Sequence, residues 1–429
     1  MGCNQSTPGP IKPRSEGHSY PPEHLVKYDS KDGPFFRTRP EDTRPLRIAE
    51  AGPFSAKEMP PETLLKAFFI AKSINGDSPA LKVERPCPPL NSDGTIPPSL
   101  PEKEWKTWTY EEYWNESRTL AKSLVHVGVE RYEGVIIFGF NAPEWTISQL
   151  GITMSGGITA GIYPTDSPET VAYKTRHCRA RVAIVEDMSK VSKLETVLDQ
   201  IPRLTHIVGY SPAFQTSKIL QRSNQTTVQV LPWREFLELG KNVEEEHLDT
   251  IMESIKPEDC FCFIYTSGTT GNSKAVMLSH DNVVVESRSI VMVSPKLGNG
   301  GQERILSYLP LSHVAAEIID IVAPITLTAF RPGYVTVYYS RPYDLKLGGL
   351  VERMKIVRPT IFFAVPRVYE KFQEKLSSKL REVQGLKKLV VKWGLGKSLA
   401  YYRNMQVGGS GDYPTGYEKA YQKVIASLY

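Results

Sequence analysis

Cysteine is scarce in this sequence, and the few present have no obvious mates. Cys3, Cys87, Cys178, Cys260 and Cys262 make five in 429 residues, with no CxxC pair and no metal-ligand spacing. That excludes a disulfide framework and a structural zinc site, and it points to a reducing, intracellular compartment. Long apolar runs are also missing. No apolar h-region opens the chain, which argues against a secretory signal. The most apolar stretch, 318–330, is broken by Asp320 and Pro324, short of the roughly 20 residues that a membrane-spanning helix needs. A strong charge of either sign is absent too: 52 Lys and Arg against 47 Asp and Glu leave +5, too mild for a dedicated nucleic-acid binder. The remainder is the composition of a soluble globular protein, long enough for two or three lobes around a large core.

Against that ordinary background one stretch stands out. Phe261-Cys262-Phe263-Ile264 reads as a buried strand. It runs into Tyr265-Thr266-Ser267-Gly268-Thr269-Thr270-Gly271-Asn272-Ser273-Lys274, after which Ala275-Val276-Met277-Leu278 resumes an apolar run. Gly268 and Gly271 leave room beside the backbone. The backbone N–H groups and the hydroxyls of Thr266, Ser267, Thr269 and Thr270 can donate to phosphate oxygens, and Lys274 adds a point charge for a β- or γ-phosphate. The P-loop of the NTPases is excluded, because it needs Gly, four residues, then Gly-Lys-Ser/Thr opening straight into a helix. The plain alternative is a hairpin rich in turn residues. Ser279 follows as the N-cap of a helix.

Those ten residues resemble the phosphate-loop signature of the adenylate-forming superfamily, which includes acyl-CoA synthetases, peptide-synthetase adenylation domains and luciferases. The resemblance continues through Val276-Met277-Leu278-Ser279-His280 and departs at Ser273 and Ala275, where proline and glycine are usual. Two later blocks sharpen it. The first, 307–317, contains Leu309-Pro310-Leu311-Ser312-His313. The second is Val365-Pro366-Arg367-Val368 followed by Tyr369-Glu370-Lys371. Together they are most similar to the bubblegum branch of long-chain fatty acyl-CoA synthetases. The resemblance implies that Thr266, Ser267, Gly268, Thr269, Thr270, Gly271 and Lys274 bind ATP phosphates, and that His313 lines the acyl-carboxylate site. It implies ATP, Mg²⁺ and CoA as cofactor and co-substrates, with a fatty acid as partner and no nucleic acid. Glu317 stands where some long-chain relatives carry a gating tryptophan, and it shares a face with His313 if that segment is helical. Arg367 could pair with a phosphate or with Glu370, and the structural role is the expected one.

The surrounding pattern is of strands alternating with helices, an α/β class with parallel layers. A helix from Glu62, a strand at 80–83, a helix opened by a Thr109–Glu112 capping box and closed at Gly128, and a strand at 134–139 come first. A helix after Asn141, another with Ser167 and Pro168 at its start, and strands at 181–185 and 207–208 follow. Residues 211–230 read as a polar surface loop, and 361–365 as a buried strand feeding a helix at Pro366. The expected organisation is a disordered leader over 1–60, rich in Pro, Gly and charge, and an incomplete AMP-binding large domain over 61–429. The fold that the resemblance implies is the layered α/β lobes of an acyl-CoA synthetase N-terminal domain, truncated, without the small C-terminal domain. The adenine, ribose and metal-holding blocks that follow in the family have no match here, so the metal ligands are unknown.

Two further signals concern membranes. Met1-Gly2-Cys3-Asn4-Gln5-Ser6 fits the N-myristoylation pattern, with Gly2 as acceptor and Cys3 as a palmitoylation site; two chains anchor stably where one does not. Basic residues predominate over 371–403, interleaved with apolar ones, which fits a membrane surface and fits a solvated helix face better. Two readings of function follow. One is a long-chain fatty acid–CoA ligase, cytoplasmic and peripheral on a face of the endoplasmic reticulum or plasma membrane. The other is a catalytically incomplete, lipid-anchored binding or regulatory fragment of such a ligase.

Overall fold

The computed structural model describes residues 40–41, 51–266, 272–292, 297–298, 300–385, 388–389 and 392–396. Twelve strands are present among them. In chain order these are β1 (Pro79–Val83), β2 (Lys106–Thr109), β3 (Gly134–Phe138), β4 (Ile158–Ile162), β5 (Val182–Val185) and β6 (His206–Gly209), then β7 (Lys218–Gln221), β8 (Thr227–Pro232), β9 (Cys260–Thr266), β10 (Lys274–Ser279), β11 (Gln302–Ser307) and β12 (Tyr334–Tyr339). They form two sheets within the unit that runs to Phe362. The larger has the order β10-β9-β4-β3-β5-β6-β8-β7, the smaller β11-β12-β1-β2.

The large sheet is parallel from β9 through β8 and antiparallel at both edges. Every residue of β3, β4 and β5 is buried, as expected of parallel strands covered on both faces. One face packs on the helices Pro168–His177 and Met188–Glu195 through Val171, Ala172, Val191 and Leu194. The other carries the larger core, which also takes in Val337 and Tyr339 of the small sheet. The helix Pro143–Met154 lies wholly inside it, all twelve residues buried. Its Trp145 anchors that core, and truncation to Ala there costs roughly 3–5 kcal/mol.

Local rules place the helix starts. Thr109 Oγ1 accepts from Glu112 N while the Glu112 carboxylate accepts from Thr109 N, so the capping box is reciprocal. Ser167 caps Pro168–His177 with Pro at the first turn. Ser279 and Asn282 exchange hydrogen bonds at the start of His280–Met292.

Two expectations are corrected. Residues 211–230 are not a loop throughout: β7 and β8 form an antiparallel hairpin on the sheet edge. One face of β8 is buried at Val228 and Val230 while its neighbours are polar, an alternation short enough to pass for polar sequence. The run 361–365 is not a strand; only Ile361 bridges, to Ile305. A short apolar run does not settle its own conformation. On the leader side of residue 61, Ser55 and Met59 are buried. In the second unit, 363–429, the helix Pro366–Glu382 begins with proline in its first turn, and Arg367 Nη1 meets Glu370 Oε2 at 2.8 Å, the structural pairing expected for it.

Candidate functional site

The stretch on either side of the hydroxyl-rich turn is a β-hairpin. β9 is buried from Cys260 to Tyr265 and emerges at Thr266. β10 returns antiparallel with Lys274 opposite Thr266. Thr266 Oγ1 donates to Lys274 O at 3.4 Å, closing the mouth. Both residues are exposed, at the end of the sheet. Ser267, Gly268, Thr269, Thr270 and Gly271, between them, lie outside the described residues, as do Gly2 and Cys3. A strand on each side of the loop distinguishes it from a P-loop.

The stem is braced from the neighbouring helix. Tyr173 Oη donates to Ser273 O at 2.9 Å. Tyr265 Oη donates to Lys174 O at 3.2 Å and lies 3.1 Å from His177 Nδ1. Both bonds tie the strand ends to Pro168–His177. Behind the hairpin, the buried His280 accepts the Leu64 N–H on Nδ1 at 3.2 Å. Burial pushes its pKa down to about 4, with Asp259 opposing, so it is neutral and structural.

His313 caps the short helix Val314–Glu317: its Nδ1 accepts from Ala315 N at 3.2 Å, and the ring is exposed. With Nδ1 accepting, a neutral imidazole carries its proton on Nε2. The loop before it is fixed by Asn141. Nδ2 of that side chain donates to Ser307 Oγ at 2.8 Å and Leu309 O at 2.7 Å, and Oδ1 accepts from Leu311 N at 3.3 Å. Ser312 comes so close to Gly161 of β4 that a Cβ there would sit 2.8 Å from Ser312 Cα. The His313 turn is thus seated on the same sheet that carries the β9–β10 hairpin.

Glu317 does not share the environment of His313. It turns inward, where Cys262 Sγ of β9 donates to its Oε2 at 3.4 Å. Burial raises its pKa to about 8, opposed by the Cys262 thiol. Asp320, in the π-helical turn Ile318–Val322, is pushed up by burial to about 7. Such turns recur at functional sites. Gln149 and Cys262 could not be found by motif reading, because the helix Pro143–Met154 supplies one and β9 the other, far from Glu317 in sequence. Among the described residues no group of three or more His, Cys, Asp or Glu could hold a metal ion, and no helix is long and apolar enough to cross a membrane.

The AMP-binding enzyme family matches residues 92–424. The chain is 38% identical over 327 residues to the long-chain-fatty-acid–CoA ligase ACSBG2 of Xenopus laevis, covering 76% of this chain and 42% of that protein. It is 31% identical over 386 residues to ACSBG1 of Homo sapiens, covering 90% and 48%. The chain therefore spans a little under half the length of these bubblegum-type relatives. Among solved structures, the adenylation domain of a carboxylate reductase from Mycobacterium chelonae superposes with a TM-score of 0.57 at 17% identity, covering 79% of this chain and 52% of that one. The anthranilate CoA ligase AuaEII in complex with anthranoyl-AMP gives 0.53 at 19% identity, covering 72% and 51%. These likenesses show the fold.

Proposed function

The chain belongs to the AMP-binding enzyme family, and from that premise we propose that it serves the activation of long-chain fatty acids. In the first step a fatty carboxylate oxygen attacks the α-phosphorus of ATP, the bond to the β-phosphate bridging oxygen breaks, and acyl-adenylate and pyrophosphate result. In the second, the CoA thiol attacks the acyl carbon and AMP leaves, giving the thioester.

The observation that carries this reading is the Thr266–Lys274 register, which sets these two residues opposite each other where the strands meet the loop that matches the family's phosphate loop. Ser267, Gly268, Thr269, Thr270 and Gly271 donate to phosphate oxygens, Thr266 joins them when its hydroxyl turns from Lys274 O to the ligand, and Lys274 offsets the phosphate charge. His313, its Nδ1 engaged, offers Nε2–H to the fatty carboxylate and orients it; it is a donor in this tautomer and not a base. The buried Glu317, neutral at physiological pH, backs the turn that carries His313. Mg²⁺ would neutralise phosphate charge. Among the described residues no group of three or more His, Cys, Asp or Glu could hold it. The domain division at residue 60 belongs to the same proposal. So does placement on a membrane face through acyl groups on Gly2 and Cys3, which the N-terminal pattern supports and which suits a substrate that partitions into lipid.

The test is fatty-acid-dependent ATP–pyrophosphate exchange, with pyrophosphate binding measured in parallel. Lys274→Ala is expected to weaken pyrophosphate binding by about tenfold to a hundredfold, the loss of one charge-assisted contact, and to leave melting unchanged because the residue is exposed. Wild-type affinity retained in Lys274→Ala would overturn the assignment of this loop.

A further inference from the structure

A crevice of about 410 Å³ lies where the C-terminal ends of β3, β5 and β6 meet those of β1 and β12. Its place in the topology is specific. From β3 the chain steps to β4 on one side, then crosses to β5 on the other. β3 is therefore the strand at which the order reverses, and open α/β sheets take ligands in the crevice beyond the strand ends at that point. The volume falls within the range of small-molecule sites.

The lining determines which chemistry fits. Two guanidiniums reach it and both are committed. Arg85 pairs with both oxygens of Glu144 at 2.6 Å. Arg341 pairs with both oxygens of Glu84 at 2.7 Å and donates to the carbonyls of Pro97 and Pro98. With Glu144 in the first turn of Pro143–Met154, that helix end does not welcome phosphate. The uncommitted groups are of another kind. Glu186, one residue beyond β5, accepts from Phe140 N at 2.9 Å through Oε2 and faces Lys190 at 3.7 Å through the same oxygen, which leaves Oε1 open. Ser340 Oγ, just past β12, is buried and has no partner. Gly139 lets this floor close: a Cβ there would strike Tyr210 Oη and lie 2.5 Å from Glu186 Cβ. Val83, Phe140, Ala142 and Tyr339 supply an apolar wall.

We propose that this crevice is a second ligand site, for a neutral ribonucleoside-type molecule whose vicinal hydroxyls donate to Glu186. The base lies on the apolar wall. A carboxylate at a strand end beside the reversal point is the arrangement that α/β folds use for a ribose diol. Committed cations and two nearby carboxylates disfavour the phosphorylated forms. The site does not depend on the reading of the phosphate loop.

Cys87 supplies the measurement. It lines the crevice and is exposed, whereas Cys178, Cys260 and Cys262 are buried. Its alkylation by a maleimide can be followed by peptide mass spectrometry on the full chain, which separates it from Cys3. Adenosine at millimolar concentration is expected to slow Cys87 alkylation several-fold. 2′,3′-Dideoxyadenosine is expected to protect far less, since a site built for hydroxyls rejects the analogue lacking them. Glu186→Gln is expected to need about tenfold more adenosine for the same protection, while Lys274→Ala protects like wild type. An alkylation rate indifferent to adenosine overturns the proposal, and so does equal protection by the dideoxy analogue, a comparison that needs no variant. Protection lost in Lys274→Ala but kept in Glu186→Gln assigns the effect to the phosphate loop and also overturns it.

Discussion

Cys262 and Glu317 meet beneath the turn that carries His313: the thiol donates to the carboxyl at 3.4 Å, and both side chains are buried. A thiol is a weak donor and cannot replace the water that the carboxylate has lost. Glu317 Oε1 has no partner, nor have either amide atom of Gln149 or the hydroxyls of Thr159 and Ser312. The charged form of Glu317 is therefore the unfavourable one, which accounts for a pKa pushed up to about 8.

The stability of the fold carries that signature. A carboxyl raised from 4.5 to about 8 on folding holds a proton in the native state that the unfolded chain has released. Its contribution is therefore fully present below about pH 4.5 and is lost as pH climbs toward 8. Glu317→Gln removes the proton exchange. The stability of the variant relative to wild type should rise by about 3 kcal/mol between pH 5 and 8, read by urea unfolding at a series of pH values. A difference that stays flat with pH would mean that Glu317 is solvated and ionised.

His280 should act in the opposite direction. Its pKa falls from 6.5 to about 4 in the native state, through burial. The unfolded chain protonates first, so stability is fully present above pH 6.5 and drains away as pH drops toward 4, by roughly 3 kcal/mol. His280→Asn keeps an acceptor for the Leu64 N–H and cannot titrate. The stability of that variant relative to wild type is expected to rise as the solution is acidified through this window.

Much of this arrangement was legible in the sequence, and the reason is local. Thr109 with Glu112, Ser167 with Pro168, and Ser279 each announce a helix start within four residues, and each cap is present. The 261–278 pattern of apolar run, hydroxyl-rich turn and apolar run gives the hairpin because strand, loop and strand are contiguous. What stayed hidden is non-local. β1 pairs with β12 across some 250 residues of chain, and no pattern in either segment names the other. Glu317 invites a helical face shared with His313, but His313 is the cap itself and lies outside that periodicity. The β7–β8 hairpin is a sheet edge with polar alternate residues, a composition shared with loops.

Asn141 supplies a test of how the site is held. Its side chain satisfies Leu309 O, Leu311 N and Ser307 Oγ, so one amide fixes the loop that leads to His313. Asn141→Leu keeps the volume and removes all three bonds, leaving buried backbone groups unpaired at a cost of about 1–3 kcal/mol. Hydrogen exchange should localise the effect, with amides of 309–313 opening faster while those of β9 keep wild-type protection. Uniform acceleration across both segments would mean that Asn141 supports the whole core and not that loop.

The final prediction concerns Glu84, the hub of the most heavily charged buried network. Arg353 Nη1 and Arg341 Nε reach its Oε2 at 2.7 Å, and Arg341 Nη2 and Leu100 N reach Oε1 at 2.7 and 2.6 Å. Arg353 Nε and Arg341 N both donate to Asp344 Oδ2, at 3.0 and 2.9 Å. Three distant pieces of chain, the ends of β1 and β12 and the helix Leu350–Val357, are locked by charges that are almost wholly buried. Burial alone would raise the Glu84 carboxyl, but the Arg341 and Leu100 hydrogen bonds and the Arg353 charge outweigh it and hold it below the ordinary value. Its contribution is thus present above the ordinary carboxylate range and lost as pH falls through the lowered value. Removing one partner leaves the others buried and uncompensated, so Glu84→Gln and Arg353→Met should each cost about 3–5 kcal/mol. In the double variant neither charge is stranded against the other, and the loss should fall short of the sum by at least about 1 kcal/mol. Urea denaturation of the four proteins closes the cycle. Additive losses would show that Arg353 stabilises this corner through its packing on Trp105, 5.1 Å away, and not through Glu84.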